Sequence, residues 1–392
     1  MSSTLTNIVE TKKNVEGSLG LWPKRYDLLD GWRGLAALVV VCHHACGLLL
    51  GHWAVLLFFV ISGYCISASA DSCQQRRIGL AGFMKRRVQR IYPPYAFALL
   101  FFFATRALKI FLQHSNQLAQ YSVTEFIQNL TLTQWLTLLA HPSSYAPANH
   151  TLMVAGFWSL NYEEQFYLLV GLMLCVSSKW RRVQMHYLIL GLTTIGFLWV
   201  ALFGRLCYGL FIDYWALFAL GVLVYLRLTK FGGRARRVVD LFLGALVVLS
   251  AVVTMLAPCD IRAQLLSGRG RAVFAELLTG GVFSLVLIAA RSHNDWIHRS
   301  WLGRCLRFLG LISYSLYLVH QFNLVFVRAV VGFVLPGGRL PVLQDLMAIV
   351  LHVGIATVFW CFCERPFLNK QLPAAQVQVP KAPRPVSGVV RL

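Results

Sequence analysis

An arginine and a histidine eleven residues apart stand in a run that is otherwise apolar: Arg33, nine residues ending in Cys42, then His43 and His44. On a helix, eleven steps of 100° return to within roughly 20°, about 16 Å along the axis, so Arg33 and His44 share a face. His43 lies about 80° from Arg33 on the same wheel. Imidazole exchanges a proton near neutral pH, and a guanidinium held among apolar residues suits an anion or a developing negative charge. The spacing therefore singles out His44, rather than His43, as the ionisable residue on the face of Arg33, with Asp30 three positions before that arginine able to pair with it. A lone histidine near a helix end more ordinarily bonds a carbonyl or a neighbouring helix.

A second group is made for phosphate. The run Lys85-Arg86-Arg87-Val-Gln-Arg90 puts Arg87 and Arg90 three apart on one helical face, just ahead of Pro93-Pro94, where the next span is expected to start. Guanidinium groups bind phosphate oxygens two at a time, which a lysine cannot do. Arg86 adjoins the pair. A basic loop that only anchors to anionic lipid headgroups is the plainer alternative.

These residues need a membrane around them. Of 392 residues 57% are hydrophobic and 13% charged, against about 25% charged in soluble domains. Apolar windows able to cross about 30 Å of hydrocarbon fall near residues 35–51, 53–70, 91–112, 157–176, 186–204, 207–226, 238–257, 272–290, 308–334 and 343–363. The expected fold is all-α and polytopic, with about ten transmembrane helices. The net charge of +21 comes from 36 Lys and Arg against 15 Asp and Glu, and most of the basic residues lie in alternate connections. The positive-inside rule then puts both termini in the cytoplasm. Such a distribution speaks for anionic membrane lipids and against nucleic acid.

Three segments are expected: a cytoplasmic N-terminal stretch over 1–24, a transmembrane domain over 25–371, and a disordered basic tail over 372–392. The polar run before Arg33 has no apolar core, so no cleavable signal peptide is expected. The ten cysteines form no framework, and Cys361-Phe-Cys363 has the wrong spacing for zinc, so no metal site is expected.

Between Gln113 and Ala155 there is no Lys or Arg and one acidic side chain, Glu125. Residues 126–139 read as an interfacial helix, and a connection this long is suited to be a lid. Asn129-Leu-Thr131 and Asn149-His-Thr151 would be glycosylation acceptors in a secretory pathway. Beyond it, Glu163 and Glu164 stand at the start of an apolar helix. Acidic residues near a helix start are favoured by its dipole, which is the ordinary reason for them.

Taken in order, these elements resemble the membrane-bound acyltransferase 3 family. The likeness rests on Arg25-Tyr-Asp-Leu-Leu-Asp30-Gly31-Trp-Arg33-Gly34 with the arginine-to-histidine spacing, on Phe58-Phe-Val-Ile-Ser62-Gly63, and on Arg87-x-x-Arg90. It continues through Trp158-Ser159-Leu160, Glu163 and Phe166-Tyr167, then Ser313-Tyr314, Tyr317 and His320, and ends at Glu364-Arg365-Pro366. It spans residues 25–366. One departure is the stretch Ala54-Val-Leu-Leu57, where the family often has an acidic residue ahead of the paired Phe. Close packing is the more ordinary role for Ser62 and Gly63.

The resemblance implies an O-acyltransferase, O-acetylase-like, that takes an acyl group from cytoplasmic acyl-CoA, acetyl-CoA first among donors. The acceptor would be a hydroxyl of a cell-envelope or exported glycan, and the location a bacterial plasma membrane if the source is bacterial. It carries over Glu163 beside His44, Arg33 and Asp30 as catalytic, Arg86, Arg87 and Arg90 as the donor site, and Trp158, Ser159, Tyr167, Tyr317 and His320 as further motif positions. Family members are often fused to a soluble esterase-like domain; no such domain is expected here. The competing class is a transporter or lipid flippase, with Arg106, Lys109, Arg205, Arg328 and His352 along a path. That reading leaves the Arg87–Arg90 fork and the His44 block unused.

Overall fold

The structure, a computed structural model, describes Tyr26 and residues 28–76, 78–113, 122–140, 154–180, 185–203, 209–256, 271–294, 299–336 and 340–368. The expected segments 1–24 and 372–392 lie outside the described residues, as do Asn149-His-Thr151 and Arg205 and the side chain of Lys109.

Every regular element among the described residues is helical: α1 (Leu28–Cys46), α2 (Gly51–Gln75), α3 (Leu80–Gln113), α4 (Val123–Thr131), α5 (Trp135–Ala140), α6 (Trp158–Lys179), α7 (Met185–Phe203), α8 (Ile212–Thr229), α9 (Gly233–Leu256), α10 (Arg271–Ala290), α11 (Trp301–Val334) and α12 (Pro341–Phe359). A π-helical turn, Trp360–Glu364, continues α12. Among the described residues, each of the ten apolar windows contains a helix. Six stretches are long and apolar enough to cross a membrane: Gly51–Gln75, Ile212–Thr229, Gly233–Leu256, Ala272–His293, Trp301–Val334 and Pro341–Phe367. The chain is a multi-pass membrane protein. Of the four other helices in those windows, α1, α3 and α6 carry most of the site residues foreseen from the sequence, while Tyr317 and His320 lie on α11.

Two backbone contacts fix the centre of the bundle. A Cβ on Gly34 of α1 would stand 2.6 Å from the backbone of Leu309 and Gly310, and one on Gly310 would stand 2.1 Å from the carbonyl oxygen of Asp30. Likewise, a Cβ on Gly63 of α2 would meet the Phe218 carbonyl of α8 at 1.9 Å. Small residues are what allow helix backbones to close to this distance. α1 is thereby locked to α11, and α2 to α8.

Polar ties gather the helix ends. At the basic end, Asp71 at the foot of α2 takes Lys230 at 2.7 Å and the Tyr225 hydroxyl at 2.8 Å, while Arg227 grips Asp240 at 2.7 and 3.0 Å. The Tyr26 hydroxyl donates to the Leu287 carbonyl, and the Leu28 amide to Asn294 Oδ1. At the far end, His52 of α2 meets Glu276 of α10 at 2.7 Å.

Two elements differ from the sequence expectation. The basic run is not a loop: α3 starts at Leu80 and passes through Pro93 and Pro94 without ending. The prolines remove two helical hydrogen bonds, and beside them Tyr314 of α11 donates to the Ile91 carbonyl at 3.1 Å. The interfacial segment is two helices rather than one. It begins at Val123, because Ser122 and Glu125 form a capping box, and it breaks at Leu132, whose φ of 56° lies in the left-handed region. Its polar side is turned inward. Asn129 is buried, accepting from Gln134 at 3.0 Å and donating to the Glu125 carbonyl at 2.8 Å, so it is closed to glycosylation. Val123, Phe126, Ile127 and Leu130 face outward, and Tyr92 and Tyr95 of α3 hold the segment through the carbonyls of Thr131 and Asn129.

Candidate active site

The residues singled out from the sequence fall into two groups joined through the middle of the bundle. The first lies toward the basic end. The charges of Arg33 and Asp30 on α1 and of Arg87 and Arg90 on α3 all act on the thiol of Cys65 of α2. The Arg87 guanidinium lies 5.4 Å from the ring centre of Tyr167 and 5.5 Å from that of Phe83, and its Nε is buried with no hydrogen-bond partner among the described residues. Arg86 turns the other way, its Nη1 reaching Cys73 Sγ at 4.0 Å. The arginine run is thus split by helical phase, with Arg87 turned to Tyr167 and Arg86 to the buried Cys73.

Glu163 lies inside the bundle rather than at its rim. Its Oε1 accepts from Ser62 Oγ at 3.1 Å and from the Tyr167 hydroxyl, and its charge reaches both Arg87 and Arg90. Glu164, next in sequence, faces α3 and takes the Tyr92 hydroxyl. A second carboxylate, Glu364 of the π-helical turn, is 3% exposed and accepts from Ser315 Oγ at 2.5 Å and the Ser315 amide at 3.2 Å, within electrostatic reach of Arg90 and Arg33. π-helical turns are frequent at functional sites because they re-aim one side chain without breaking the helix.

The second group lies toward the far end. His44 packs its ring against that of His320 of α11, with centroids 5.1 Å apart, while His43 bonds the Leu48 carbonyl through Nδ1 at 2.6 Å. The two neighbouring histidines therefore serve different partners. His320 is buried, and its Nδ1 lies 2.6 Å from the Tyr317 carbonyl. A carbonyl only accepts, so Nδ1 carries the proton and Nε2 is left as a bare lone pair. The Tyr317 hydroxyl donates to the Gly156 carbonyl and accepts from Ser159 Oγ at 2.6 Å. Trp158 packs edge-on to Phe59 and Tyr162 and stacks on His52. The Glu163 charge reaches Tyr317, which joins the two groups.

An acyltransferase domain family matches residues 26–363, most of the chain. The chain belongs to this family. Among curated relatives, the O-acetyltransferase OatA of Staphylococcus aureus strain NCTC 8325 / PS 47 is 24% identical over 373 residues, covering 90% of this chain and 58% of that protein. OatA of strain MRSA252 gives the same figures. The chain thus spans a little over half the length of these relatives. No solved structure matches it.

Within this acyltransferase domain, the structure adds residues that sequence reasoning did not place at the site: Ser62, Cys65, Tyr314, Ser315 and Glu364. Ser62 stood in a small-residue pair read as packing, and the pair divides its labour, since Gly63 makes the close contact and Ser62 the hydrogen bond to Glu163. Glu364 was visible only as the acid of the Glu364-Arg365-Pro366 exit motif.

Proposed function

We propose that the chain is a membrane-bound O-acyltransferase that moves an acyl group, acetyl in the simplest case, from cytoplasmic acyl-CoA to a hydroxyl of a cell-envelope or exported glycan. In this reading it crosses the membrane ten times with both termini in the cytoplasm. Coenzyme A is too charged to cross, so the donor meets the basic end and the acceptor the far end. The observation that carries the reading is the polar seam itself: buried guanidinium groups with a partnerless Nε at one end, and an imidazole pair at the other, bridged by Glu163 and Tyr317.

Arg87 and Arg90 hold donor phosphate, with Arg33 and Asp30 beside them and Arg86 flanking. The acceptor hydroxyl gives its proton to His44 as its oxygen bonds the thioester carbonyl carbon. The carbon–sulfur bond breaks, and the departing thiolate takes up the proton that His44 received, so the imidazole ends the cycle neutral. Glu163, tied to Ser62 and Tyr167, sets the field between the two halves.

Thiol release from acetyl-CoA by purified protein in detergent tests the chemistry. An acyltransferase gives turnover that the parent chain supports and a His44→Ala variant does not, whereas a transporter gives none from either. Mass spectrometry of cell-envelope glycans with and without the protein would identify the acyl group and the acceptor class. Sidedness is read with an impermeant thiol reagent on single cysteines in a background without reactive native cysteines. Ser122→Cys should label from outside in intact cells and Gly79→Cys only after permeabilisation; labelling of both from one side would remove the transmembrane path.

A further inference from the structure

Behind the His44–His320 pair, on α12, lies an imidazole that the reaction outlined above does not use. His352 is 1% exposed, as is His320. Neither ring nitrogen of His352 meets a hydrogen-bond partner among the described residues, and neither does Nε2 of His320. Leaving a buried polar atom unpaired costs about 1–3 kcal/mol, so these atoms call for a ligand. The two rings share a neighbourhood. Val327 lies two turns beyond His320 on α11 and packs with Ala348, one turn before His352, against Ala45, which follows His44. His352 also lies within electrostatic reach of His320.

The chemistry of the three nitrogens limits what can sit there. Nε2 of His320 can only accept, because its partner nitrogen has spent its proton on the Tyr317 carbonyl. A neutral His352 offers one donor and one acceptor. An anion would face the Nε2 lone pair, and an apolar group would satisfy neither ring. Among the described residues no group of three His, Cys, Asp or Glu is arranged to hold a metal ion. A group that donates to one ring and accepts from the other fits: a hydroxyl, and in a space closed to solvent, a water.

We propose that a buried water bridges Nε2 of His320 and the ring of His352, and that His352 is thereby a positioning residue for the His44–His320 pair. The carbonyl of Tyr317 fixes one edge of the His320 ring and the water fixes the other, so the ring presents a constant face to His44. This rests on the acyl-transfer reading for its consequence in rate, but not for the water itself.

Two measurements separate those. Acetyl-CoA turnover is compared for parent, His352→Leu and His352→Gln. Gln keeps a donor and an acceptor, whereas Leu fills the space and can bind no water. The expected result is a fall in kcat of about tenfold or more for Leu with KM for acetyl-CoA unchanged, and recovery of most of that loss in Gln, a split that marks an interaction acting on the transition state rather than on donor binding. A Leu variant as active as the parent overturns the positioning role. Independently of activity, solid-state NMR of the parent chain in bilayers reads the water. The Val319–His320 pair gives the assignment through 13C-valine and 15N-histidine labels. A water-proton correlation to Nε2 of His320 is expected; a dry Nε2 overturns the proposal even if both variants fail to fold. Absence of turnover in the parent together with a bound water would instead sink the acyl-transfer reading alone.

Discussion

The two halves of the seam solve opposite electrostatic problems. Toward the basic end, Arg33, Arg87 and Arg90 stand with Glu163 and Glu364, permanent charges that are costly in an apolar interior unless set against one another or against a ligand. Toward the far end stand three imidazoles, His44, His320 and His352, with His320 held by the Tyr317 carbonyl and packed against the rings of His44 and Tyr317. A site of fixed charge suits an anion that arrives and leaves whole. A site of imidazoles suits a proton that moves during the reaction. Substitutions in the two halves should therefore act on different kinetic constants.

The largest effect should come from the imidazole half. His44→Ala is expected to lower kcat for acyl transfer by on the order of 1000-fold with the donor KM unchanged, while His43→Ala, whose ring serves the Leu48 carbonyl, should stay within about threefold. Equal losses in two folded variants would remove the distinction. Next comes a substitution in neither half. Gly63→Ala drives a methyl into the Phe218 carbonyl and should cost on the order of 3 kcal/mol, read as a lowered unfolding temperature in detergent. In the basic half, Arg87→Lys or Arg90→Lys keeps the charge but loses the planar fork. The donor KM should rise about tenfold with kcat nearly constant; a fall in kcat alone would merge the two halves into one function. The smallest change is Ser62→Ala, which removes one hydrogen bond to Glu163 and should cost about 1 kcal/mol, a severalfold drop in kcat/KM, with no change in thermal stability comparable to that of Gly63→Ala.

What could be read from the sequence follows from what a helix repeats. The shared face of Arg33 and His44 is a property of one helix, and the structure keeps that distinction by giving His44 and His43 different partners. The ten apolar windows are likewise local, and each holds a helix. Lateral order is not local. Nothing within residues 360–364 states that Glu364 will bond Ser315, or that Ser62 will find Glu163, because those meetings depend on which helices pack side by side. Two differences have local causes: paired prolines read as a helix start, although α3 carries them in its interior, and the short segment after Ser122 owes its start to the Ser122–Glu125 capping box.

The contact of α1 with α11 has a consequence in time. Gly34 and Gly310 meet backbone to backbone, yet the ribosome makes the second long after the first, at about 5–20 residues per second. For roughly fifteen seconds to a minute, then, the face of α1 that bears Arg33 and His44 has no α11 to cover it. A polar face left in hydrocarbon for that interval is costly. The nascent chain must therefore wait inside the insertion machinery or against a membrane chaperone, and chains truncated before residue 301 should be cleared from the membrane while the full-length protein accumulates.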